Sequence, residues 1–139
     1  MPSVTYGPWS APVKLDPPVN TAFSDQHPAL SPDGLSLYIT SNRPGGYGST
    51  DLWVCHRATK DSPWGPAKSL GATINAGGRD FSPAFSPDGH WMIYARAPGG
   101  DENGDDLYIT HRADKHDDFG WETPVNLGLN VPSSWRTLR

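Results

Sequence analysis

The amino-acid sequence predicts an all-β chain built from two copies of one four-stranded antiparallel unit. Three observations predict it. The first is an internal repeat: a shift of 55 residues places Trp9 on Trp64, Asp25 on Asp80, Ser31-Pro32-Asp33-Gly34 on Ser86-Pro87-Asp88-Gly89, and His56-Arg57-Ala58 on His111-Arg112-Ala113. Over residues 9–63 against 64–118, 17 of 55 positions are identical. The second is composition: 15 Gly and 15 Pro in 139 residues supply turns and break helices. The third is period-two alternation, as in Leu52, Val54, His56 against Trp53, Cys55, Arg57. No segment has helical periodicity.

The elements follow in order. Residues 27–31 form a short first strand, and the Pro-Asp-Gly turn after them presets φ with proline and takes positive φ at glycine. Residues 35–41 form the second strand. The Gly-rich loop Pro44-Gly45-Gly46-Tyr47-Gly48 leads to the third, 51–57, and the fourth is 64–70. The second copy gives 82–86, 90–96, 106–112 and 121–127. A partial third copy starts at Trp121, two residues late, because Trp121 lies 57 residues after Trp64. Residues 9–15 read as an outer strand of a preceding unit. The chain thus divides into 1–22 (outer strand and linker), 23–70, 71–127, and a non-repeat tail, 128–139. Four antiparallel strands per repeat of this length describe a β-propeller blade, whose two apolar faces are buried by stacking blades side by side.

Composition also excludes functions. A net charge of −4 argues against non-specific nucleic-acid binding. No run of 18 apolar residues is present, so no membrane insertion is expected. The N-terminal residues carry no signal-peptide pattern. Cys55 is the only cysteine, so no intrachain disulfide forms, and it reads as a small buried apolar residue.

The residues that suggest chemistry are mostly repeated. Asp25, Asp33, Asp80 and Asp88 each have a counterpart, which fits turns and caps better than a catalytic pair. Arg43 with Asp51, and Arg96 with Asp106, flank the third-strand hairpins and are expected to pair as ions that order those loops. Trp9, Trp64 and Trp121 are expected to pack between blades. Residues without a matching counterpart are the better candidates for a ligand: Tyr47, Arg79, Trp91 and Arg96. Asp101, Asn103 and Asp105 have the alternating spacing of a calcium loop. The glycine there is at the fourth position, however, and the twelfth is Arg112, so a solvated hairpin tip competes with calcium as the reading. No His/Cys cluster, nucleophile elbow or phosphate loop appears, and no catalytic residue or cofactor is expected.

The string Trp-x-x-Pro-x-x-Leu, then Asp-x-x-Pro and Ser-Pro-Asp-Gly, then Leu37-Tyr38-Ile39-Thr40-Ser41-Asn42-Arg43 and Asp51-Leu52-Trp53, resembles the TolB-type β-propeller repeat, a WD-like family. The resemblance covers about 120 residues. It implies closed rings of six or seven blades, a periplasmic or extracellular setting, and a non-catalytic module that binds a protein or a glycan. Alternatively, such a segment belongs to a carbohydrate-active enzyme or peptidase whose catalytic residues lie elsewhere, or is a truncated gene product. Two blades do not close a ring. The resemblance therefore also implies a larger propeller or a homo-oligomer, in which three chains would supply six blades.

Overall fold

The computed structural model describes Thr5, residues 7–97 and residues 105–128. The described residues form eight strands and no helix. The first sheet has the order β1 (Asp25–Leu30), β2 (Ser36–Ser41), β3 (Asp51–His56), β4 (Lys68–Ser69). The second repeats it with β5 (Arg79–Phe85), β6 (Trp91–Ala97), β7 (Asp106–His111) and β8 (Val125–Asn126). All pairings within both sheets are antiparallel.

The equivalence extends to irregularities. Each first strand carries a bulge, between Gln26 and Ala29 and between Phe81 and Ala84. His27 and Ser82, the residues before the motif prolines, take φ of 47° and 57°. Proline has no N–H for the ladder, so the Asp-x-x-Pro motif encodes a bulge.

The outer strands are shorter than the expected 64–70 and 121–127. Pairing begins with Gly65 N–H to His56 O (2.7 Å) and resumes at Lys68. Pro66 stands where the ladder would take an N–H to His56 and has none to give. Residues 9–15 form no strand, which corrects the expected outer strand at the N-terminus. They find no partner strand among the described residues, Pro12 lacks a donor, and Trp9 and Val13 are exposed.

The two sheets pack against each other through β5, which touches β1, β2 and β3. Tyr38, Leu52 and Val54 from the first sheet bury against Met92, Tyr94 and Trp121 from the second, with Phe85 at the edge. Tyr38 and Phe85 meet edge to face at 4.7 Å. The opposite face of the first sheet (Leu37, Ile39, Trp53, Cys55) is covered by Val19, Trp64 and Ala67. Cys55 is fully buried there, and burial pushes its thiol pKa up. Backbone bonds join the sheets at one end: Ser49 N–H to Gly78 O (3.1 Å) and Asp80 N–H to Thr50 O (3.0 Å). A Cβ at Gly48 would collide with the Gly78 carbonyl, so this close approach requires glycine.

Candidate functional site

The two sheets share their ends. At one end are the Gly-rich loop and the starts of β3, β5 and β7. At the other are the Pro-Asp-Gly turns and the ends of β3 and β7.

At the first end, both expected ion pairs are replaced. Arg43 pairs with Asp25, not Asp51, at 2.8 Å. Arg96 pairs with Asp80, not Asp106, at 2.8 Å. Each guanidinium also donates to the linker entering its sheet: Arg43 to Pro18 O and Val19 O, Arg96 to Ile74 O. The reason is competition for the second aspartate. Ser41 and Arg96 stand between two aspartates each, Asp25 and Asp51 or Asp80 and Asp106, but Asp51 is taken by loop N–H groups and Asp106 accepts from Asn126 Nδ2 (3.0 Å). Burial would raise the Asp25 pKa, but bonds from Ser41, Thr21 and Arg43 outweigh it and hold the carboxyl below its ordinary value. At Asp80 burial wins over bonds from Arg96 and Ala76, and the pKa rises.

Asp51 instead organises the loop directly. Its carboxylate is buried and accepts N–H bonds from Tyr47 (2.6 Å) and Gly48 (3.2 Å). A Cβ at Gly46 would strike that carboxylate, which accounts for a second loop glycine. Asp51→Asn, which removes the charge and keeps one acceptor, is expected to cost about 1–2 kcal/mol and to speed proteolysis within residues 44–50. Limited proteolysis read by mass spectrometry checks it, and an unchanged cleavage rate would remove this role.

Asp33 and Asp88 are turn caps, as their repetition implies. Each accepts a bond from the serine two residues before (both 2.6 Å) and from the N–H two residues after.

The expected ligand residues are separated. Tyr47 is exposed in the 44–50 loop. Arg79 starts β5, its guanidinium 4.6 Å from the Phe81 ring. Arg96 is at the same end but is held by Asp80, Ile74 and Tyr94. Trp91 stands at the opposite end, 4.6 Å from His111. Asp101 and Asn103 of the calcium reading lie outside the described residues, and Asp105 is exposed. Trp121 packs between the sheets as expected, whereas Trp9 is exposed and makes no such contact.

The second end holds a cleft of about 420 Å³ between the sheets. Val54 and His56 of β3 form one wall, with Gly65, Pro66 and Lys68 beside them. Residues 116–119 of the loop between β7 and β8 form the other. At its floor the Asp118 carboxylate, on the second sheet's loop, accepts bonds from Ser36 Oγ (2.7 Å) and Tyr38 Oη (2.9 Å) of the first. Arg112 Nη1 is 3.4 Å from the same carboxylate. Burial, then the Asp118 charge, push the Tyr38 pKa far up. Trp121 Nε1 donates to Tyr38 Oη at 3.0 Å.

Arg112 is fully buried and also donates to Gly89 O (2.8 Å) and Asp117 O (3.0 Å), stacked 4.3 Å from Trp121. Arg57 makes the matching contacts in the first sheet, to Gly34 O (2.9 Å) and over Trp64 (4.2 Å). The repeated Arg and Trp residues thus form one device, an arginine clamping the Pro-Asp-Gly turn on an indole.

His56 Nδ1 lies 3.2 Å from Ser36 Oγ and 3.9 Å from Asp118 Oδ2. A serine, a histidine and an aspartate therefore meet, but in the wrong order for a nucleophile. The single hydroxyl proton goes to Asp118, so Ser36 Oγ accepts from His56 rather than donating to it. His116 Nδ1 bonds Asp33 Oδ2 of the first sheet's turn at 3.1 Å. Phe119 is exposed at the rim. Sequence reasoning missed Asp118, His116 and Phe119 as a group. The available signal was the two-residue insertion: 114–120 replaces 59–63, so these side chains have no counterpart.

No group of three His, Cys, Asp or Glu side chains placed to hold a metal ion occurs among the described residues. No helix among them is long and apolar enough to cross a membrane. The sequence matches no protein-family model and no curated protein.

Proposed function

We propose that this chain is a pair of β-propeller blades of the TolB-like kind, serving as a non-catalytic binding module for a glycan in a periplasmic or extracellular setting. The observation that carries this reading is the distribution of polar groups. Most bonds of the repeated aspartates and arginines stay within their own sheet. The unrepeated loop residues His116, Asp118 and Phe119 line one cleft of a size suited to a small ligand. There the exposed Phe119 ring offers an apolar platform for a sugar face. His56, Lys68, His116 and Asp117 offer donors and acceptors at its rim. The direction of the Ser36 hydrogen bond supports binding over acyl transfer.

The test is calorimetric titration with pectin and peptidoglycan fragments. Phe119→Ala and His116→Ala are expected to weaken binding about tenfold or more, ~1.4 kcal/mol, with the melting temperature little changed. Unchanged affinity in both variants, or no binding by the parent chain, would overturn the glycan reading. Release of cleavage products by this chain alone would overturn the non-catalytic one.

A further inference from the structure

Among the described residues, each sheet repeats on its outward side one half of the contact made between the two sheets. Within the chain, Tyr38 of the first sheet meets Phe85 of the second at 4.7 Å, and Leu52 is sealed beside it. The 55-residue repeat maps Tyr38 onto Ile93, Leu52 onto Leu107, and Phe85 back onto Leu30. Tyr38 and Leu52 are 0% exposed, whereas Ile93, Leu107 and Leu30 are 37%, 55% and 51% exposed. So the second sheet presents the positions that the first sheet uses to bury itself. The first sheet presents, at Leu30, the position with which the second receives it. All three exposed side chains are apolar.

We propose that copies of this chain associate head to tail, the Ile93 and Leu107 face of one copy seating on the Leu30 edge of the next. The occupant is a second copy because both halves of the missing contact are present on one chain, at the repeat spacing of a contact already made. The two surfaces differ, so the interface is heterologous, and repetition generates a ring or a filament rather than a two-fold dimer. This goes beyond the ligand reading of the cleft, which lies at the Pro-Asp-Gly end, and does not depend on it.

Light scattering across the soluble concentration range tests it. The parent chain is expected to be heavier than one chain. Leu30→Arg and Ile93→Arg are each expected to fall to a single-chain mass, with far-UV circular dichroism unchanged because both positions are at the surface. An equimolar mixture of the two variants is expected to recover a species of two chains and nothing larger, since each retains one intact half. A parent chain that stays monomeric throughout overturns the proposal and assigns the face to another occupant, such as a further repeat or an unrelated protein. A folded pair of variants whose mixture recovers no dimer overturns the head-to-tail geometry.

Discussion

Arg112→Ala is expected to destabilise the fold by about 3–5 kcal/mol, while Arg57→Ala, at the equivalent position, costs about 1 kcal/mol. Both guanidiniums clamp a turn carbonyl and stack on an indole. The difference is burial and partners. Arg57 is half-buried, whereas Arg112 is fully buried and its Nη1 approaches Asp117 and Asp118 of its own sheet's loop and Tyr38 across the sheet interface. Removing Arg112 takes the guanidinium from the buried Asp118 carboxylate, leaving the Ser36 and Tyr38 hydroxyls with His56 at 3.9 Å, and opens a cavity beside Trp121 and Phe85. Arg112 Nη2 has no hydrogen-bond partner, so the site already carries a cost that an apolar replacement removes. Arg112→Met is therefore expected to lose less than the alanine variant. Urea unfolding midpoints for the three variants check the order. Equal small costs for both alanine variants would mean that the Asp118 cluster does not hold the sheets together.

Asp80→Ala is expected to cost a similar 3–5 kcal/mol, because it strands the Arg96 guanidinium and the Ala76 N–H. The Asp80 side chain has no solvent exposure. The acid dependence separates it from its counterpart Asp25. The Asp25 carboxyl is held below its ordinary pKa, so its stabilisation is present above the unfolded value and is lost as pH falls through the folded one. The cost of Asp25→Asn should therefore fade on the acid side. The Asp80 pKa is raised by burial, so its folded form takes up a proton first as pH falls, and the cost of Asp80→Asn should not fade there. Melting temperatures of both asparagine variants from neutral pH to below the carboxylate range check the contrast.

Much of the architecture was legible in the sequence because it is written locally. The Ser-Pro-Asp-Gly turns, the alternation through Leu52–Cys55 and the motif prolines each act within a few residues, and the strand order followed from short connections. The outer strands are shorter than the pattern suggests; in the first, Pro66 removes a ladder bond without ending the extended chain. Arginine partners were misassigned because a long side chain bonds across a ladder as readily as along a hairpin. Asp25 and Asp51 both stand opposite Ser41, on its two sides, and what separates them is that Asp51 is occupied by the Tyr47 and Gly48 N–H groups. The cleft was illegible for the opposite reason: Asp118 draws its partners from Ser36 and Tyr38, some 80 residues away. Comparison of the two repeats favours what recurs, and 114–120 is where they differ.

Arg43 and Arg96 form a second clamp, tying a first-strand aspartate to the linker that enters the sheet. Arg43 and Arg96 reach matching partners, an aspartate and a linker carbonyl 55 residues apart, from positions 53 residues apart. Column by column, Ser41 stands against Arg96 and Arg43 against Pro98, two mismatches. Yet the positive charge lands at the same point in space. What the architecture prescribes there is a location for a cation, not a letter in a string, and a two-residue slide leaves it filled. Relatives of this chain that keep the clamp while moving its arginine would look more distant in their spelling than they are in their form.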